Sequence, residues 1–195
     1  AIGYGLAYEG DVWDFYCGRA VPAATYPVGS VLTIAAAGSE MSDSSVITNE
    51  EGGLKRGCNS DVCRPRFAVM DPELTYTLPA YQTASGATDI MMHTMERYFT
   101  LEPELALTDE LAEGLMRRVM SCAVRLRDEP RDYAARADLM WASSLSHNGL
   151  TGCGGVKDFA CHQLEHELGG MFDCAHGAGL AAVWPTWARY VLPTK

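Results

Sequence analysis

Nothing in this 195-residue chain is long and apolar enough to suggest a membrane span; no uninterrupted hydrophobic run approaches the roughly 18 residues required. Basic residues are scarce, fifteen against twenty-five acidic ones, so the net charge is −10 and the pI near 4.9. That balance argues against a nucleic-acid surface or an anionic membrane as partner. The opening AIGYGLAYEG has neither the basic stretch nor the long apolar stretch of a secretory signal. The Cys-x-x-Cys pair is missing, although seven cysteines are present. Their odd number and irregular spacing read as reduced thiols of a cytoplasmic protein rather than a disulfide framework. Internal repeats and low-complexity segments are also lacking.

What is present can bury a real core, since 48% of the residues are hydrophobic. Residues 1–79 read as mixed α/β. Val28 to Ile34 suits a buried strand ending in small residues, Ser45 to Thr48 and Leu54 to Cys58 a hairpin around Asn49-Glu50-Glu51-Gly52-Gly53, and Arg66 to Met70 a short strand stopped by Asp71-Pro72. Residues 80–195 read as helical. A helix is expected over Ala87 to Thr100, with Met91, Met95 and Phe99 as a core stripe. A long helix should start at Thr108, acting as N-cap, and another at Asp128-Glu129-Pro130, running to His147 before Asn148-Gly149. Asp158 to Leu168 should be helical, with Gly169-Gly170 breaking it before a last helix beyond His176.

Three of the five histidines fall in HQLEHELGGMFDCAH, residues 162–176. Residues four apart share a helix face, so His162 and His166 point the same way. Asp89 and His93 form a second such pair far upstream, and His176 can add a further nitrogen. Imidazole plus carboxylate suits zinc or ferrous iron with an open position. Taken alone, Asp89 and His93 would be a helix-surface pair, Glu165 and Glu167 a solvated face, and His147 a helix C-terminal cap partner. A zinc-peptidase helix needs glutamate beside the first histidine; Gln163 stands there instead.

The run HQLEHELGGMFDCAHGAGLAAVWP resembles the signature of the iron-containing (group III) alcohol dehydrogenases, and ASGATDIMMHTMERYF resembles the other half of their metal site. TIAAAGSEMSDSSVITNEEGGLKRG and RFAVMDPEL resemble the strands around their nucleotide cleft. EGDVWDFYCG and HGAGLA are similar to the butanol dehydrogenase branch. The resemblance spans essentially the whole chain. It implies the rear of a Rossmann-like nucleotide domain followed by an all-α metal-binding domain, a dehydroquinate synthase-like architecture truncated at both ends. The family's Gly-Gly-Gly-Ser loop is not found, so an internal fragment of a longer, homodimeric, cytoplasmic protein is expected.

The resemblance assigns the metal, Fe2+ or Zn2+, to Asp89, His93, His162 and His176. It moves His166 to the nicotinamide side as a candidate proton relay, with a packing role as the alternative. Thr33, Ser42 and Lys55 are implied to meet the cofactor, NADP(H) in preference to NAD(H), while Ala37 replaces a common family threonine. The implied activity is hydride transfer between nicotinamide and a short-chain alcohol or aldehyde. The alternatives are a metal-dependent lyase or hydrolase of the related sugar-phosphate cyclase fold, and an inactive metal-binding fragment.

Overall fold

A computed structural model describes residues 1–100 and 105–192. Two short helical turns, α1 (Ile2–Gly5) and α2 (Trp13–Tyr16), precede four strands, β1 (Gly29–Val31), β2 (Ser44–Asn49), β3 (Leu54–Asn59) and β4 (Phe67–Val69). Five helices follow: α3 (Ala80–Tyr98), α4 (Ala106–Asp128), α5 (Tyr133–His147), α6 (Ala160–Phe172) and α7 (His176–Val191). Among the described residues, no helix is long and apolar enough to cross a membrane.

The β-branched run Ser-Ser-Val-Ile-Thr pairs antiparallel with β3, placing Thr48 opposite Lys55. Gly52 and Gly53, at φ 88° and 62°, close the hairpin in a conformation that other residues resist. β1 runs parallel to β4, Ser30 facing Ala68. The expected strand from Val28 to Ile34 is therefore shorter. Its pairing ends where Leu32 N–H bonds the Val69 carbonyl at 2.9 Å, and the chain then turns through small residues.

Helix α3 is the axis of the helical part. One face buries Ile90 against Val119, Cys122 and Leu126 of α4 and against Leu139 of α5. Another buries Met92 against Cys161 of α6 and Leu180 of α7. Of the expected stripe, Met91 and Met95 only edge these clusters, and Phe99 is half exposed. The face centred on Ile90 and Met92 carries the packing instead.

Three expected boundaries move. Thr108 is not an N-cap; it lies inside α4 and donates to the Cys153 carbonyl at 3.0 Å, while Asp109 accepts from Leu105 N–H at the helix start. Asp128 ends α4 rather than opening α5, because Asp132 is the residue whose carboxylate accepts from Ala135 N–H at 2.7 Å and caps α5. Gly169-Gly170 does not break α6. The helix runs on to Phe172 and stops at Asp173, whose φ of 50° and ψ of 39° are left-handed. A Cβ on Gly170 would collide with the Gly53 carbonyl, so this pair of glycines admits the hairpin instead of turning the chain.

Candidate metal centre

Helix α3 presents Asp89, His93 and Glu96 at spacings of four and three, one continuous face. Helix α6 presents His162, Glu165 and His166 to it, and α7 begins at His176, directly after the three-residue passage from Asp173. Gly177 is why His176 can come so near: a Cβ there would overlap the Ser85 backbone of α3. The close helix crossing thus carries the third histidine to the first two elements.

Asp89 Oδ1 sits at the focus. His162 Nε2 lies 3.4 Å from it, His93 Nδ1 3.5 Å and His176 Nε2 3.6 Å. Ligands about 2.1 Å from a tetrahedral centre stand about 3.4 Å apart. Ligand atoms of Asp89, His162 and His176 lie within 4.8 Å of one another, as do those of Glu165, His166 and His176; His93 belongs to neither group, though its Nδ1 is 3.5 Å from Asp89 Oδ1. Asp89 Oδ1, His93 Nδ1 and His162 Nε2 are all buried without a hydrogen-bond partner. Buried polar atoms are rarely left so, and two unpartnered imidazole nitrogens within 3.5 Å of one unpartnered carboxylate oxygen fit a cation. The donor set, nitrogen and carboxylate oxygen, is that of zinc or ferrous iron.

Two glutamates set the rings. His162 Nδ1 donates to Glu96 Oε2, and Glu96 Oε1 accepts from the backbone N–H groups of Cys161 and His162 at 2.7 and 3.3 Å. His176 Nδ1 donates to Glu165 Oε2, which also accepts from Lys55 Nζ at 3.1 Å. A carboxylate can only accept, so each ring carries its hydrogen on Nδ1 and turns the Nε2 lone pair toward Asp89. Without a cation, a proton serves on His162: burial alone would lower its pKa, but Asp89 and Glu96 outweigh that and raise it to about 9. Burial also opposes ionisation of Glu165, yet His176 and Lys55 hold its carboxyl below the usual range.

The remaining imidazoles are held neutral. His93 is pushed well below its ordinary value by burial and then by His147. His147 falls to about 3 through burial and the Arg97 guanidinium, and His166 to about 4 through burial, His176 and Lys55. His147 is not a cap partner. Its ring packs 3.9 Å from that of His93, and Arg97 donates to its Nδ1 at 3.1 Å.

A cleft of about 820 Å³ opens between the hairpin and this centre, walled by Ser42, Lys55, His93, His147, His162, His166 and His176. Of the cofactor residues expected from the sequence, Lys55 and Ser42 reach the wall; Ser42 is 3% exposed and its hydroxyl accepts from Ser44 N–H at 2.9 Å. Thr33 lies exposed beyond β1, apart from the cleft lining, which Ala37 joins. Glu165 is 0% exposed, so it belongs to the centre and not to a solvated face as expected; Glu167 is exposed. Asp89 and His93, each 3% exposed, are no surface pair. Glu96 went unread in the sequence, although its place on the Asp89–His93 face was the available signal.

Residues 83–195 match the model of the Fe-containing alcohol dehydrogenase family, C-terminal, and residues 1–72 that of iron-containing alcohol dehydrogenase. The chain is 42% identical over 98% of its length to NADH-dependent butanol dehydrogenase A of Clostridium acetobutylicum, covering 49% of that protein. It is 40% identical over 82% of its length to the NADPH-dependent aldehyde reductase YqhD of Escherichia coli, covering 41% of it. The crystal structure of NADH-dependent butanol dehydrogenase A from Thermotoga maritima superposes with a TM-score of 0.95, at 41% identity, on 97% of this chain and 48% of that one. The chain thus spans about half the length of the curated relatives it matches.

Proposed function

Because this chain belongs to the iron-containing alcohol dehydrogenase family, we propose that it carries the metal-binding half of an enzyme that moves hydride between a nicotinamide cofactor and a short-chain aldehyde or alcohol. The observation that carries the reading is the convergence of three unpartnered buried atoms, Asp89 Oδ1, His93 Nδ1 and His162 Nε2. Asp89, His93, His162 and His176 would hold the cation, Fe2+ or Zn2+. When bound, it supplies a Lewis acid that favours negative charge on a carbonyl oxygen.

The chain's own residues supply orientation and exclusion of water. Glu96 and Glu165 keep the Nε2 atoms of His162 and His176 bare and aimed. Phe159 and the uncharged rings of His93 and His147 form a wall that offers a substrate little water. His166 stands beside His176, ring centroids 5.6 Å apart, on the cleft side. Held neutral, it has both a donor and an acceptor nitrogen, which is what a relay to an alkoxide needs. Lys55 and Ser42 line the cleft where the nicotinamide nucleotide would lie, in a division of residues 1–79 as the rear of a Rossmann-like nucleotide domain and 80–195 as the metal domain. The named relatives include both NADH- and NADPH-dependent proteins, so the reading extends to a reduced nicotinamide of either kind.

The test uses the protein completed to the length of its relatives. With butanal it should consume NADH or NADPH, and His162→Ala should abolish the reaction. Undiminished turnover after metal stripping would refute the proposal.

A further inference from the structure

The two glutamates that set the histidine rings are not equivalent. Glu96 is anchored by the backbone, since Oε1 takes the N–H groups of Cys161 and His162 in the first turn of α6. Glu165, fully buried, receives no backbone N–H among the described residues. Its partners are the His176 ring on one side and Lys55 Nζ, at 3.1 and 3.4 Å from its two oxygens, on the other. Lys55 comes from β3, the hairpin strand that walls the cleft opposite the histidines.

The approach of the hairpin to α6 is built for this contact. Cβ atoms on Gly169 and Gly170 would strike Lys55 Nζ, at 2.6 Å, and the Gly53 carbonyl. The ammonium therefore lies over a bare stretch of helix. Its side chain is only 17% exposed, which makes its pairing with the 0% exposed Glu165 far less screened than a surface pair.

We infer that Lys55 is a positioning residue for the metal centre, acting through Glu165 on His176, so that the cleft-lining hairpin and the cation are coupled. This rests on the metal-centre reading above. The physical content is a relay of three groups. Lys55 fixes the Glu165 carboxylate, the carboxylate fixes the ring and hydrogen of His176, and the ring presents Nε2 to the site. Anything that draws the Lys55 ammonium aside, such as an anionic group of a ligand in the cleft, changes how His176 is held.

A relay differs from a direct charge effect. An ammonium acting through space on the cation would do so whether or not Glu165 were present; one acting through the carboxylate would not. The experiment is a double-mutant cycle on Co2+ binding, read by visible absorption and by chelator competition. Glu165→Ala should weaken Co2+ by about 10- to 100-fold. Lys55→Met should alter both the affinity and the Co2+ band positions when Glu165 is present, and neither in the Glu165→Ala background. An equal effect in both backgrounds, or none in either, overturns the inference. Should Glu165→Ala fail to fold, Glu165→Leu, which fills a similar volume but offers Lys55 neither charge nor acceptor, serves as the second background with the same outcomes. A wild-type chain that binds no Co2+ at all takes down the metal-centre reading together with this one; normal Co2+ binding that Lys55→Met leaves untouched takes down this one alone.

Discussion

Glu96→Gln separates the stability of this site from its grip on a cation. Glu96 is 4% exposed and accepts three hydrogen bonds, two from backbone N–H groups on Oε1 and one from His162 Nδ1 on Oε2. A glutamine keeps one carbonyl oxygen, enough for the two backbone donors, but sets its NH₂ against the Nδ1 hydrogen. The ring escapes by giving up the Nδ1 hydrogen and keeping the one on Nε2, which donates to Asp89 Oδ1, 3.4 Å away. The metal-free protein loses little, within about 1 kcal/mol, because every group finds a partner. A cation, however, needs the hydrogen on Nδ1 and the Nε2 lone pair free, and that tautomer now faces the glutamine NH₂ instead of a carboxylate, which should weaken metal binding about 10- to 100-fold, or about 1.4–2.8 kcal/mol. Glu96→Ala is the contrasting variant. It orphans three buried donors at about 1–3 kcal/mol each, a large part of the 5–15 kcal/mol that holds an ordinary domain. Thermal melts of metal-free protein and Zn2+ titrations with a competing chelator give both quantities. A Glu96→Gln protein that binds Zn2+ within twofold of wild type would refute the tautomer argument.

Three further outcomes follow from the same geometry. Gly177→Ala should cost about 1–3 kcal/mol by forcing α7 off the Ser85 backbone, and calorimetry that found an unchanged melting temperature would contradict so close a crossing. Metal affinity should rise with pH and level off near 9: below that value His162 carries a proton the cation must displace, so affinity falls about tenfold per unit, and a flat profile between roughly pH 7 and 9 would count against it. Iodoacetamide should label the exposed Cys153 in the native protein but leave Cys161 unmodified until unfolding. The Cys161 thiol is 0% exposed and pushed up to about 12 by burial, then by Glu96 and Asp158; mass spectrometry would show early Cys161 adducts if the α3–α6 packing were wrong.

The parts of this site legible in the sequence were those with a period. His162 and His166, or Asp89 and His93, announce a shared helix face by their spacing, and the hairpin declares itself by β-branched runs around Gly52-Gly53. Which histidine would hold a cation is not in the spacing; the resemblance implies His162 and His176, and the structure groups these two with Asp89 and His166 with Glu165 and His176. The two glutamates were lost for one physical reason. A carboxylate on a helix is by default solvated, and only the tertiary arrival of a histidine ring reverses that, so Glu165 was assigned to solvent and Glu96 passed over. Gly169-Gly170 misled in the same way. Local propensity makes two glycines a helix break, whereas here they give clearance for Lys55 and Gly53, and the break falls on Asp173 because an aspartate tolerates the left-handed region. His147 was read from its position before Asn148-Gly149, which did end α5; its burial against His93 and Arg97 depends on α3, far away in the chain.

If Asp89 Oδ1 and the histidine nitrogens around it form one cation site, the isolated chain should take up metal. Equilibrium dialysis of the purified chain against Zn2+ or Co2+, followed by elemental analysis, tests it most directly. One ion per chain is expected, lost in Asp89→Ala and in His162→Ala while circular dichroism stays unchanged. Binding that survives both substitutions, or a folded wild-type chain that retains no ion, would contradict it.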